Sequence, residues 1–285
     1  MQIIRTSLFA AGILLAAPLC IFGQAALTAL TVGRPVAAQF EDGPTLGSLR
    51  LVPGEVLYFS FFADGFQKTA SARKVELTGH VQVLDPTGTA VAPTEEILIV
   101  TELSEEDKNW KPKLRAAISL PPIAPPGTYR VKYDVTDEQS HQTATGESSF
   151  GVDAKYVAPS GILAVRELNF YRNQDDTTAL ITPSYRAGDI VWVKFYITGY
   201  KYGEQNSIDA SYDVELLAPD GTSIMKKEDA AMEKSMAFYP QPYIPGIFNL
   251  SLKSTMSHNI YTLIVTAHDA MGKQTATATS KFQVN

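Results

Sequence analysis

Tyr129-Arg130-Val131-Lys132-Tyr133-Asp134-Val135-Thr136-Asp137 alternates apolar and polar side chains, and a stretch of the same character runs from Tyr261 to Asp269. In the first, Tyr129, Val131, Tyr133 and Val135 fall on one face and Arg130, Lys132 and Asp134 on the other, the pattern of a half-buried antiparallel strand. In the second, Tyr261, Leu263, Val265 and Ala267 take the inward positions. Downstream, Gln142-Thr143-Ala144-Thr145 with Phe150 and Val152 returns as Gln274-Thr275-Ala276-Thr277 with Phe282 and Val284. Upstream, Val81 to Thr89 returns as Val214 to Thr222, and Pro53 to Phe61 with Gly65-Phe66 returns as Ala187 to Phe195 with Gly199-Tyr200. The spacing drifts from 134 through 133 to 132 residues along these blocks, as small loop indels between two copies of one fold would produce.

Asp85-Pro86-Thr87-Gly88 and Ala218-Pro219-Asp220-Gly221 are hairpin-closing turns, because Pro presets the first turn angle and Gly supplies positive φ. Short strands at spacings of about 8–12 residues with turn signals between them indicate an all-β sandwich. Helical periodicity is weak throughout. Lys227 to Lys234 is the best candidate for one short helical turn, and the acidic block Glu102 to Asp107 reads as a solvated loop or as the first turn of a small helix with Ser104 as N-cap.

The closing pattern Pro126-Gly127-Thr128-Tyr129, then Val131, Tyr133, Val135 and Asp137, ending in Phe150 and Val152, resembles the last strands of bacterial immunoglobulin-like or fibronectin-III-like extracellular modules. The resemblance implies tandem duplicated immunoglobulin-like antiparallel β-sandwiches. It also implies a tyrosine corner at Tyr129, whose hydroxyl would cap a backbone loop. The similarity covers roughly residues 27–152 and 162–285 and carries no function. There is no Cys pair, and neither Trp110 nor Trp192 falls where an antibody-type core Trp would.

Arg5 followed by the apolar run Leu8 to Phe22 and then Gly23-Gln24-Ala25 has the form of a secretory signal peptide cut after Ala25. An uncleaved anchor is the alternative, since moderately apolar residues continue through Leu30. The expected organisation is a signal peptide at 1–25, a sandwich at 26–152, a linker at 153–161 and a second sandwich at 162–285. The single cysteine, Cys20, lies in the leader, so disulfides and thiolate chemistry are excluded from the exported chain. With 24 basic against 30 acidic residues the chain is mildly acidic. Such a surface speaks against nucleic acid and against tight docking on anionic lipid.

No nucleophile elbow, phosphate-cradling loop, dinucleotide fingerprint or His-Glu-x-x-His occurs. His80, His141, His258 and His268 have no metal-ligand spacing, and none has a His at the matched position of the other repeat. Asp134, Asp137 and Asp85 are the nearest approach to a calcium set, and Glu76 with Asp85 the nearest to a glycosidase pair. Neither has motif support, so no cofactor, metal or enzymatic activity is expected. If Leu57, Phe59 and Phe61 face the core, as Val191, Val193 and Phe195 would, then Tyr58, Phe62, Trp192 and Tyr196 point outward. Outward aromatics suit a sugar or protein contact, or lie under a loop. Tyr200-Lys201-Tyr202 and the Pro-rich stretch Tyr239 to Pro245 would extend that surface or serve as rigid connections. These features fit an exported, non-catalytic binding or scaffolding protein of the cell envelope, periplasmic or extracellular, with a protein or glycan partner. A pair of carbohydrate-binding modules is the alternative, and an accessory domain of a glycoside-active enzyme a further one.

Overall fold

The structure is a computed structural model that describes residues 29–41, 43, 48–69 and 73–285; the expected signal peptide lies outside them. The described chain is all-β. In the first half run β1 (Thr31–Val32), β2 (Val36–Ala38), β3 (Arg50–Leu51), β4 (Val56–Asp64), β5 (Lys74–Leu84), β6 (Glu95–Glu102), β7 (Lys113–Ser119), β8 (Gly127–Asp137) and β9 (Gln142–Val152). In the second run β10 (Ala164–Tyr171), β11 (Ser184–Tyr185), β12 (Ile190–Thr198), β13 (Ile208–Leu217), β14 (Ser223–Ser235), β15 (Ile244–Ser251), β16 (Asn259–Asp269) and β17 (Gln274–Val284).

One sheet of the first half has the order β3-β9-β8-β5-β6, and one of the second has β11-β17-β16-β13-β14. In each the short first strand is parallel to its neighbour and the remaining pairs are antiparallel. Opposite lie the smaller sheets. β4 pairs β1 and β2 along one side and β7 along the other, while β12 lies between β10 and β15. Gly33, Arg34 and Pro35 interrupt the lane beside β4, where Pro35 has no N–H to give a ladder. Beside β12 the same irregularity is a bulge between Arg166 and Asn169, with Glu167 at φ 52°.

Alternation determines what is buried. Leu57, Phe59 and Phe61 of β4 face Val75, Leu77, Val81 and Val83 of β5 and Tyr129, Val131, Tyr133 and Val135 of β8 in one core. Val191, Val193, Phe195 and Ile197 form the second with Val214, Leu216, Tyr261, Leu263, Val265 and Ala267. Each such side chain taken out of water contributes about 1.5–3 kcal/mol, and no cysteine is needed to hold either core.

The same polar ties recur. The Tyr129 hydroxyl donates to the Pro125 carbonyl at 2.8 Å and that of Tyr261 to the Ser257 carbonyl at 3.2 Å, the loop-capping role expected of Tyr129. Gln142 Oε1 accepts from the Leu30 N–H at 3.0 Å, and Gln274 Oε1 from the Leu163 N–H at 3.1 Å, fastening each entering segment to the β8–β9 or β16–β17 hairpin. Gly65 and Gly199 sit at φ 80° and 76°, where a side chain would strike the carbonyls of Ala29 and Ile162. That close approach requires glycine at both.

One local expectation is overturned, and of the two readings of Glu102 to Asp107 the loop holds. Lys227 to Lys234 is part of strand β14, paired to β13 from Ile208 to Leu217. Its Ala, Glu and Lys residues favour helix in isolation, but the ladder to β13 outweighs propensities worth tenths of a kcal/mol each. Ser104 caps a turn and no helix: its hydroxyl accepts from the Glu106 N–H at 3.3 Å, while Asp107 accepts from the Ser104 N–H at 2.8 Å.

Candidate functional site

The four outward aromatics stand on the faces their alternation assigns, but in two separate pairs. Tyr58 and Phe62 belong to β4, Trp192 and Tyr196 to β12, and no ring contact links the pairs. Tyr58 lines a hollow of about 510 Å³ with Val36, Ala38, Phe40 and Ala117, and Phe62 is 43% exposed. Trp192 is half-buried. Tyr196 is covered: Lys155, from the segment joining the halves, lies 4.6 Å from its ring centroid, and Tyr243 packs edge-on at 5.1 Å. Lys155 also pairs with Glu167 at 2.6 Å. Burial lowers the lysine pKa, but Glu167 and Tyr196 more than offset this and hold it above the ordinary value. Next to it Lys194 lies 4.8 Å from the Tyr171 ring centroid and donates to the Asp176 carbonyl at 2.7 Å. This face of β12 is therefore occupied by the protein's own cations.

The Pro-rich tyrosine loop makes a contact that sequence spacing did not reveal. The phenols of Tyr200 and Tyr202 both donate to the Gln241 carbonyl, and Asn206 Nδ2 donates to the Phe238 carbonyl at 2.7 Å. So fixed, the loop carries Tyr239 into the apolar core of the first half. There its hydroxyl donates to Asp85 Oδ2 at 2.8 Å. Asp85, 3% exposed, also accepts from the N–H groups of Thr87 and Thr89 at 2.8 and 2.9 Å and from the Thr87 hydroxyl at 2.7 Å. Burial foremost, and then the Asp85 carboxylate, push the Tyr239 phenol above its ordinary pKa. Asp85 and Tyr239 are 154 residues apart, and Asp85 corresponds to Ala218 in the other half, so neither periodicity nor repeat comparison could pair them.

The other buried carboxylates are similarly engaged. Asp137 accepts from the Gln67 and Gln139 N–H groups at 2.8 and 2.9 Å and from the Ser140 hydroxyl at 2.8 Å. Asp269 accepts from the Lys201 and Gly272 N–H groups and from Gln274 Nε2, each at 3.0 Å. Asp85 and Asp137 stand at opposite ends of the β5–β8 ladder, because Leu84 pairs Arg130 and Leu77 pairs Asp137. Asp134 instead faces outward and meets His80 at 2.9 Å. The three aspartates do not converge on a cation. Glu76 and Asp85, nine positions apart along an extended strand and just beyond it, are separated by about 30 Å, far outside the range of a glycosidase pair.

His268 reaches Asp213 at 3.0 Å, with the Thr275 hydroxyl 3.4 Å from its other ring nitrogen. Among the described residues no group of three or more His, Cys, Asp or Glu could hold a metal ion. Nor is any helix among them long and apolar enough to cross a membrane.

No family model matches the chain, and no curated protein matches it either. Solved structures that align with it include the C-terminal domain of the antigen I/II polypeptide BspA of Streptococcus agalactiae, at 10% identity over 89% of this chain and 99% of that one, with a TM-score of 0.30. The C-terminal domain of the antigen I/II-family protein AspA of Streptococcus pyogenes aligns at 9% identity over 91% and 99%, with a TM-score of 0.31. Likeness this distant carries no argument about function.

Proposed function

We propose that this is an exported, non-catalytic binding or scaffolding protein of the cell envelope, with immunoglobulin-like sandwich domains at residues 26–152 and 162–285 joined by residues 153–161. The matched strand orders and the paired tyrosine corners support the duplication. The observation that carries the functional reading is the commitment of Asp85, Asp137 and Asp269: each buried carboxylate is engaged by the N–H groups and side-chain donors of the turns around it. A general acid or base needs a carboxyl free to exchange a proton with substrate, and these are engaged in holding loops. Tyr239 in turn fixes one sandwich against the other, as suits a part that presents surfaces at a set angle.

A glycan ligand is the second reading, favoured by the hollow beside Tyr58, where an aromatic ring borders Val36, Ala38 and Ala117 with Ser60, Lys113 and Arg115 also in the lining. The test is expression with a C-terminal tag, followed by fractionation and mass spectrometry of the N-terminus. Recovery from the periplasm or medium, beginning at Ala26 and inert toward glycan, ester and peptide substrates, is the expected result. Retention in the cytoplasm with the leader intact, or turnover abolished by a single carboxylate substitution, overturns the reading. Glycan titration of Tyr58→Ala beside the unaltered protein separates the two partners.

A further inference from the structure

β6 ends its sheet: it pairs with β5 and, among the described residues, no strand is hydrogen-bonded along its other side, although β7 of the facing sheet comes near it. Its N–H and C=O groups on that side form a template for a further strand. Edge strands ordinarily blunt this with bulges, lysines or proline, and β14, which occupies the matching place, is so treated. The β13–β14 register breaks between Tyr212 and Val214 and again between Leu216 and Leu217. Asp229 adopts φ 46° there, and Lys226, Lys227, Glu228 and Asp229 crowd the site. β6 has none of these devices. Its register to β5 is unbroken over eight pairs, and its centre is Ile97-Leu98-Ile99-Val100-Thr101. Leu98 and Val100 are 67% and 64% exposed on the outer face, whereas Ile97 and Ile99 turn toward the core.

The charges around this edge select its occupant. Glu95 and Glu96 stand at one end, and Glu102, Glu105 and Glu106 at the other, where Lys74 of β5 lies beside Glu102 on the side away from the open edge. A second copy laid antiparallel, β6 against β6, would set Glu95 and Glu96 against Glu102 and repel. The geometry points to a different occupant: β6 accepts, by strand addition, an extended segment of another protein whose β-branched centre is flanked by lysine or arginine. Main-chain hydrogen bonds hold such a segment, Leu98 and Val100 contact its outward apolar side chains, and the glutamates select its basic ends.

This rests on the binding reading above, but export and turnover assays do not touch it, so either can fail alone. The experiment titrates the exported chain with a peptide of Thr-Val-Thr-Val-Thr centre flanked by lysine pairs, and with the same centre flanked by glutamate pairs, while hydrogen exchange follows residues 95–102. The lysine peptide is expected to protect β6 amides and to bind at least about tenfold more tightly than the glutamate peptide, an advantage that shrinks with added salt. Leu98→Lys with Val100→Lys, both solvent-facing, should weaken it about tenfold with Tm unchanged. Equal binding of the two peptides, protection elsewhere than β6, no binding, or a self-associated protein that the lysine pair makes monomeric would each overturn the inference.

Discussion

The turns Asp85 to Thr89 and Ala218 to Thr222 have the same length, the same proline and the same closing bonds: the N–H of Asp85 or Ala218 donates to the carbonyl of Thr89 or Thr222, and the N–H of Gly88 or Gly221 donates back to the carbonyl that opens the turn. One is the socket for a tyrosine from the other half of the molecule; the other, with alanine in place of the carboxylate, is not. The matched strands β6 and β14 also differ, one unbroken with its charges at the two ends and the other bulged with charges crowding the bulge. Where the halves agree, the shared residues hold the sandwich together. At the two turns, the difference falls on what one half touches in the other.

The largest expected effect tests the agreement. Asp137→Ala strands the N–H groups of Gln67 and Gln139 in a closed turn, and Asp269→Ala does the same to those of Lys201 and Gly272. Each should cost about 2–3 kcal/mol in denaturant unfolding, since two part-buried donors are left without their acceptor. Hydrogen exchange should place each loss in its own half. A loss in one half only would break the equivalence of the two clamps.

Most of what the halves share was legible in the sequence, because alternation is a local signal. Tyr129 to Asp137 and Tyr261 to Asp269 declare their inward faces, and the same rule placed Tyr58, Phe62, Trp192 and Tyr196 outward. What lies over an outward residue is not a local property. Nothing in the neighbourhood of Tyr196 announces that Lys155, 41 positions earlier, lies on its ring. Lys227 to Lys234 misled for the complementary reason: an edge strand faces water along much of its length, so its composition drifts toward the charged residues and alanines of a surface helix. The Tyr239 contact is the most distant of all, and only the folded arrangement of both halves creates it.

Removing that contact gives the next effect in size. Tyr239→Phe keeps the ring in its apolar seat but takes one charge-directed hydrogen bond from Asp85, at a cost of about 1–2 kcal/mol. Because burial and Asp85 raise the phenol above its ordinary value of 10.0, its contribution is fully present below that pH and is lost as the pH climbs beyond it. The gap in stability between the unaltered protein and Tyr239→Phe should therefore narrow above about pH 10, where the unfolded chain begins to ionise its tyrosines. Tyr185, whose phenol burial pushes up to about 12 and which donates to the Tyr171 carbonyl at 2.8 Å, remains in both proteins as the internal reference. A gap that stays constant through pH 11, or no loss at pH 7, would mean that Asp85 does not need the second half.

The smallest effect separates two contacts that look alike. His80 meets Asp134 and His268 meets Asp213 at nearly equal distances, on the outer faces of corresponding sheets. The Asp134 pair is partly exposed on both sides and Asp134 has no second task there, so Asp134→Ala should cost about 0.5 kcal/mol or less. Asp213 is less exposed and has a second task, accepting the Asp229 N–H at 2.9 Å where β14 bulges. Burial works against its charge, but that N–H and His268 together hold its pKa below the ordinary carboxylate range. Its contribution is thus present above about pH 4 and lost as the pH falls further. Asp213→Ala should cost about 1 kcal/mol near neutrality and loosen the amides from Lys227 to Ala231, because the bulge loses the acceptor that holds Asp229 in its left-handed conformation. Equal costs for the two substitutions would reduce Asp213 to a surface ion pair and leave the β14 bulge, and with it the contrast to β6, without its anchor.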